Sequence, residues 1–299
     1  MTLSELSINQ WEDTRATLHM WMQIVGKVRL ELAPQVNHWW EVPFYLTSRG
    51  LTTSPIPYQG ITFDVDFDFI DHTLLIRTSE GANRSFALRS QSVAEFYREF
   101  FETLHEIKID VKIWPVPVEI PSPIPFEQDT QHASYNADYA HRFWRILTFS
   151  DQVFKEFRGR FIGKHSPVHF FWGSFDLAST RFSGRTAPER EWSPSLAKIM
   201  REAYSHEVSS VGWWPGDERL ALPSFYSYAA PEPAGFRTAP VLPAAAYYNE
   251  PLGGFYLHYD ELRASADPEK TLLDFCHSTY DAAAKSGDWD KELVHARNL

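Results

Sequence analysis

The spacing of hydrophobic and polar positions changes several times along the chain, and each change marks an element. Trp11, Leu18, Met22 and Val25 recur at helical spacing, which predicts a first helix over 11–25. Short strands over 29–32 and 42–47 are expected next, separated by the polar-aromatic cluster Asn37, His38, Trp39 and Trp40. The clearest strand is 61–69. Ile61, Phe63, Val65, Phe67 and Phe69 alternate with Thr62, Asp64, Asp66 and Asp68, the pattern of a half-buried antiparallel strand. Runs at 74–78 and 84–88 extend it into a β-meander, turned at Gly81 and Asn83, which tolerate positive φ.

Ser92 and Glu95 form a capping-box pattern ahead of the stripe Val93, Phe96, Phe100, Leu104 and Ile107, so a helix is expected there. The five prolines of 114–126 fix φ and remove ladder donors, predicting an extended segment. Its apolar residues Trp114, Val116, Val118, Ile120 and Ile124 suggest that it is packed down. Tyr139 to Phe157 read as a long helix and 168–175 as a strand. Ser193 and Pro194 resemble an N-cap and first helical proline, opening a helix to about Tyr204. Strand-like runs follow at 208–214, 223–228, 244–248 and 255–259. Asp267 and Pro268 open a last helix that Gly287 closes.

This order predicts an α+β fold of antiparallel β-meanders flanked by helices, rather than a βα alternation. The expected division is an N-terminal α+β half over 1–113, a proline-rich connector over 114–131 and a C-terminal α+β half over 132–299. The halves could be similar α-β-α units packed together. Val42, Phe44, Tyr45, Ser48, Leu51 and Thr53 match Val168, Phe170, Phe171, Ser174, Leu177 and Ser179 in order and spacing. Tryptophan-containing helical patterns at 19–24 and 141–146 precede the two copies, as an internal repeat requires.

Composition narrows the function classes. A net charge of −11 repels a nucleic-acid backbone over most of the surface, so no nucleic-acid partner is expected. The N-terminus lacks a basic stretch followed by an apolar one, and no run of apolar residues is long enough to span a bilayer. A cytoplasmic protein without a membrane partner is therefore expected. The single cysteine, Cys276, lies on the apolar stripe of the last helix, where a thiol is inert. With aromatics at 15% of the residues, thick cores, stacking pockets and interfaces all remain open.

Candidate chemistry concentrates in 163–185. His169, Asp176 and Arg181 are the candidate catalytic residues; Trp172 and Arg185 are candidate ligand-binding residues beside them. A strand at 168–175 would scaffold them, the polar run after it would emerge at the strand end, and the arginines would suit a small anionic molecule. His38, Trp40, His258 and Asp260 are further ligand-binding candidates. His165 and His169 have the spacing of a helical zinc pair, but Pro167 between them implies an extended segment that parts them by about 13 Å. The carboxylates of Asp64, Asp66 and Asp68 are expected to pair with Arg77 or Arg84. Gly159 to His165 miss the phosphate-loop spacing, and Ser174 lacks the glycines of a nucleophile elbow. No metal and no cofactor is indicated.

The strings NHWWEVPFYLTSRGLTTSPIPY, FDFIDHTLLIRTS, GKHSPVHFFWGSFDLASTRFSGR, MREAYSHEVSSVGWWPG and STYDAAAKSGDWD are similar to a bacterial family known only as a domain of unknown function. The resemblance covers nearly the whole chain and implies no activity, ligand or catalytic residue. The expectation is a small-molecule-binding protein or an enzyme of unassigned reaction, with an aromatic-lined polar cleft around 165–185. The alternative is a non-catalytic interaction protein whose aromatics form core and interface.

Overall fold

Helix α1 (Ile8–Leu32) is apolar on so many sides that it is buried from Leu18 to Arg29. With no proline to interrupt it, the stretch expected as a strand at 29–32 continues the helix instead. The computed structural model describes residues 3–192 and 197–294. It contains two antiparallel six-stranded sheets and an α+β arrangement of elements. The chain divides into two compact units. The first takes the chain to Val36, Trp40–Thr148 and Phe170–Phe175; the second takes Asn37–Trp39, Phe149–His169 and everything from Asp176 onward. The proline-rich segment expected as a connector thus lies inside the first unit, and the division falls within helix α3 (Ala137–Gly159).

In the first unit, β1 (Tyr45–Leu46), β2 (Gly50–Thr52), β4 (Ile61–Asp68), β5 (Thr73–Thr78) and β6 (Asn83–Ala87) lie in that order, and β3 (Ile56–Tyr58) also pairs with β4. Phe63, Val65 and Phe67 are buried, as the alternation requires. On the other face, Arg77 ion-pairs with both Asp64 and Asp66, and Arg49 with Asp68 at 2.5 Å. Helix α2 (Val93–Glu106) opens with the capping box formed in full. The proline segment has no helix or strand before the 3₁₀ turn Phe126–Gln128, and Gln23 of α1 holds it through both Val118 backbone groups at 2.8 Å. Trp114, expected to pack down, is instead 72% exposed.

In the second sheet the strand order is β11 (Tyr247–Asn249), β12 (Gly254–His258), β10 (Ser224–Ala230), β9 (His206–Trp214), β8 (Asp176–Thr186) and β7 (His169–Phe171), whose Phe170 and Phe171 belong to the first unit. The polar run expected as a loop after a strand is itself strand β8, so its residues alternate between two faces instead of converging at one end. One face carries Leu177, Trp213, Phe225 and Leu257 and packs on α3 and on α6 (Pro268–Ser286), with Phe154 edge-on to Phe225. Asp267 caps α6 through the Lys270 amide, Pro268 occupies its first turn and Gly287 closes it. Helix α4 (Ala197–Ala203) precedes β9; the expected Ser193–Pro194 start lies outside the described residues. A short helix, α5 (Tyr259–Arg263), follows β12.

Candidate functional site

The outward face of the second sheet is polar and aromatic for a reason visible in its register. Ser210 of β9 lies opposite Thr180 of β8 and Tyr228 of β10; Gly212 lies opposite Ala178 and Tyr226; Tyr226 in turn lies opposite Tyr256, which faces Tyr247. Same-face residues of adjacent antiparallel strands are neighbours, so four tyrosines gather on one surface. Tyr226 and Tyr228 stack with ring centroids 6.0 Å apart, and Tyr256 lies within 6.5 Å of both Tyr226 and Tyr247. Tyr204, at the end of the excursion between β8 and β9, hydrogen-bonds Tyr228 hydroxyl to hydroxyl at 2.8 Å. Beyond it, Arg190 lies 3.8 Å above the ring of Trp192, which contacts Tyr204.

Asp176 anchors this face. The Tyr226 hydroxyl donates to its carboxylate by reaching from β10 across β9 to β8. The crossing passes over Gly212, where any Cβ would fall inside the Tyr226 ring. Burial, then the nearby Asp176 charge, raise the Tyr226 phenol well above its ordinary pKa; burial and Tyr204 do the same to Tyr228. Both phenols therefore stay protonated donors at neutral pH. Tyr226, Tyr228, Tyr204 and Tyr247 are all partly exposed, so the face is reachable from solvent.

Two other predicted residues sit at the ends of the same face. His258 lies opposite Ser224, whose Oγ is 3.0 Å from its Nδ1, and the Tyr247 hydroxyl is 3.3 Å from its Nε2. This resembles a nucleophile and its base, but Ser224 is fully buried and donates to the Leu222 carbonyl at 2.9 Å. No substrate carbonyl can approach such an oxygen. At the other end, His38 contacts Phe182 and His206 with ring centroids 4.9 and 5.7 Å away. Its Nε2 is 2.8 Å from the Lys164 amine. Burial, and then Lys164, lower the His38 pKa, so the imidazole is neutral and accepts from the ammonium.

The remaining candidates separate. Arg181 projects from the opposite face of β8 to Asp176, because five residues part them and an odd step changes face. The shared catalytic cluster of Asp176 and Arg181 expected from the sequence is therefore corrected: the sheet itself lies between them. His169 is buried on β7. Arg185 leaves the ladder at a register shift beside Gly184, whose φ is 90°, and binds Glu207 at 2.7 Å and the Gly287 and Asp288 carbonyls beyond α6. That is the geometry of a helix C-terminal cap. Asp260 is exposed and pairs with Arg263 at 3.1 Å. Trp172 and Trp40 belong to the first unit. Trp172 lies flat on Gly26 and donates from its indole to the Val42 carbonyl at 2.9 Å, while Trp40 is half-buried.

The tyrosines were missed by sequence reasoning, although a signal was present. In 224–228 the residues Ser224, Tyr226 and Tyr228 share one parity, and Phe225 and Ser227 the other. A strand of the second sheet with hydroxyls on one side was legible; its neighbours Asp176 and Tyr204 were not, since they arrive from distant sequence.

No match appears among curated proteins or among solved structures. Among the described residues, no helix is long and apolar enough to cross a membrane. A family model covers residues 3–296, nearly the whole chain. The chain belongs to the family described as "Family of unknown function (DUF5996)".

Proposed function

We propose that the protein binds a small molecule on the tyrosine-lined face of its second sheet, with Asp176, Tyr226, Tyr228, Tyr204 and Tyr256 as the contact residues. The observation that carries this reading is the reach of Tyr226 over Gly212 to Asp176. A strand glycine and a carboxylate with 8% exposure together hold a phenol in place on a surface that stays partly open. Aromatic walls with few oriented polar groups are the usual form of ligand sites. The protonated phenols and the half-buried Thr180 present hydroxyls, which suits an uncharged, hydroxyl-bearing or aromatic ligand. His38 and His258 at the two ends are its polar limits. Among the described residues, no exposed nucleophile meets a base on this face. A thermal-shift and NMR screen of uncharged polar compounds tests the reading. Hits should weaken at least tenfold in Tyr228→Phe and Tyr226→Phe; hits of unchanged affinity in both variants refute it.

A second reading rests on Trp114, whose side chain is 72% exposed within the proline-rich segment. An exposed indole on an extended proline-rich stretch is the chemistry of a protein-recognition element, and Trp114→Ala should abolish any partner binding that uses it.

We also infer an internal duplication. The matched segments form β1–β2 and β7–β8, and each pair begins at the edge of its sheet. The matched residues Phe44 and Phe170 exchange reciprocal backbone hydrogen bonds, both at 2.9 Å. Matched residues at matched positions of the two sheets support a duplicated unit. An experimental structure in which β2 and β8 superpose with their neighbouring strands reversed would overturn it.

A further inference from the structure

Arg181 is buried to 1% exposure on the inner face of β8, yet its guanidinium has no carboxylate hydrogen-bond partner among the described residues. One nitrogen, Nη2, donates to the Phe157 carbonyl; Nε and Nη1 donate to nothing. Three aromatic rings surround it, with Phe157, Tyr280 and Phe161 centroids 3.4, 4.4 and 4.9 Å from its central carbon. Rings stabilise the charge over the flat faces of the guanidinium. They cannot accept its in-plane N–H groups, which buried polar groups normally satisfy.

Its neighbours deepen the imbalance. His277, edge-on to the same Phe157 ring at 5.3 Å, has a buried Nε2 without a partner. Ser179, two residues earlier on the same face, is fully buried and its Oγ is unpaired. His165 lies directly across the backbone bridge from Arg181, and accepts from Arg158 at 2.9 Å. Burial, then Arg158 and Arg181, lower the His165 pKa, and burial, then Arg181 and Arg160, that of His277, so both imidazoles stay neutral beside the guanidinium. Asp281 is felt only at a distance, and burial raises its own pKa. A buried cation lacking a counter-charge is strongly destabilising, and Arg181 is in that condition in a chain of net charge −11.

We propose that the second unit holds a small oxyanion between β8 and α6, bound by Arg181 Nε and Nη1 with His277 and Ser179. Phosphate, sulfate and carboxylate groups all match arginine donors of this kind. The proposal is independent of the tyrosine face, which lies on the other side of the sheet, so one can fail without the other.

The test is thermal melting of the full chain in millimolar inorganic phosphate or sulfate against chloride at equal ionic strength. Binding to the folded state alone makes the melting temperature rise with the logarithm of anion concentration. That rise is expected in wild type, reduced in His277→Gln and Ser179→Ala, and absent in Arg181→Met. The first two variants keep the test decisive if Arg181→Met does not fold. A flat response in wild type, or an equal rise in both His277→Gln and Ser179→Ala, overturns the proposal. Mass spectrometry of small molecules released from denatured wild type then assigns the source, as a free inorganic ion or as the anionic end of an organic molecule.

Discussion

In the first sheet, β4 and β5 send Phe63, Val65, Phe67, Leu74 and Ile76 inward and pair Asp64, Asp66 and Arg77 outward in partly exposed ion pairs. In the second, β8 sends Leu177 but also Ser179 and Arg181 inward, and its outward face holds Asp176 under a tyrosine. Apolar groups on one side and solvated ion pairs on the other cost little to maintain, so the first sheet needs nothing beyond itself. Half-buried phenols and a buried guanidinium are expensive unless satisfied. The contrast teaches that binding chemistry should be sought where both faces of a sheet carry polar groups, not where charged residues are most numerous along a strand.

The hardest blow to this contrast would be a first sheet that tolerates charge inside. Val65→Asp places an unpaired carboxylate among buried phenylalanines, and should cost roughly 3–5 kcal/mol or prevent soluble expression. A melting temperature equal to wild type would refute the face assignment. On the second sheet, Gly212→Val puts a side chain where the Tyr226 ring lies. It should cost about 2 kcal/mol through overpacking and shift the Tyr226 and Tyr228 ring resonances; unchanged resonances would show that the tyrosine does not cross there.

Acid sharpens the comparison within α1. Burial holds His19 at a pKa of about 4, below its usual 6.5, and its Nε2 donates to the Gly173 carbonyl at 2.9 Å. Between pH 6.5 and 4 the unfolded chain takes up a proton that the folded chain refuses. Stability should therefore fall as pH drops through that window, by on the order of 2 kcal/mol. His19→Gln should lose this part of the acid sensitivity in urea titrations, and an unchanged pH slope in the variant would contradict it. Smaller effects close the series. Tyr226→Phe removes the hydroxyl that Asp176 accepts from, and should cost about 1 kcal/mol in denaturant unfolding. Asp66→Asn, in a partly exposed ion pair, should stay below about 1 kcal/mol.

Much of the fold was legible. The capping box at Ser92, the proline start and glycine stop of α6, and the alternation in β4 were read from local pattern, because caps, φ restrictions and period-two burial act within a few residues. Two readings failed. The 29–32 stretch continued α1, which no proline interrupts, and the 176–185 run became β8, because its partner strand β9 arrives from distant sequence. The candidate site was less legible. Asp176 and His258 were singled out by residue type, but the tyrosines beside them were not.

Residue order alone determined most element types, the apolar face of the first sheet and the inert setting of Cys276, all of which follow from spacing along one helix or strand. Only the tertiary structure decided which side chains meet. The register of β8, β9 and β10 brings Asp176, Gly212 and Tyr226 together across three strands, and the parity of β8 turns Arg181 to the other side. Strand pairing is a long-range choice made by packing and hydrogen bonding of the whole sheet, and a shift of one residue would exchange the two faces.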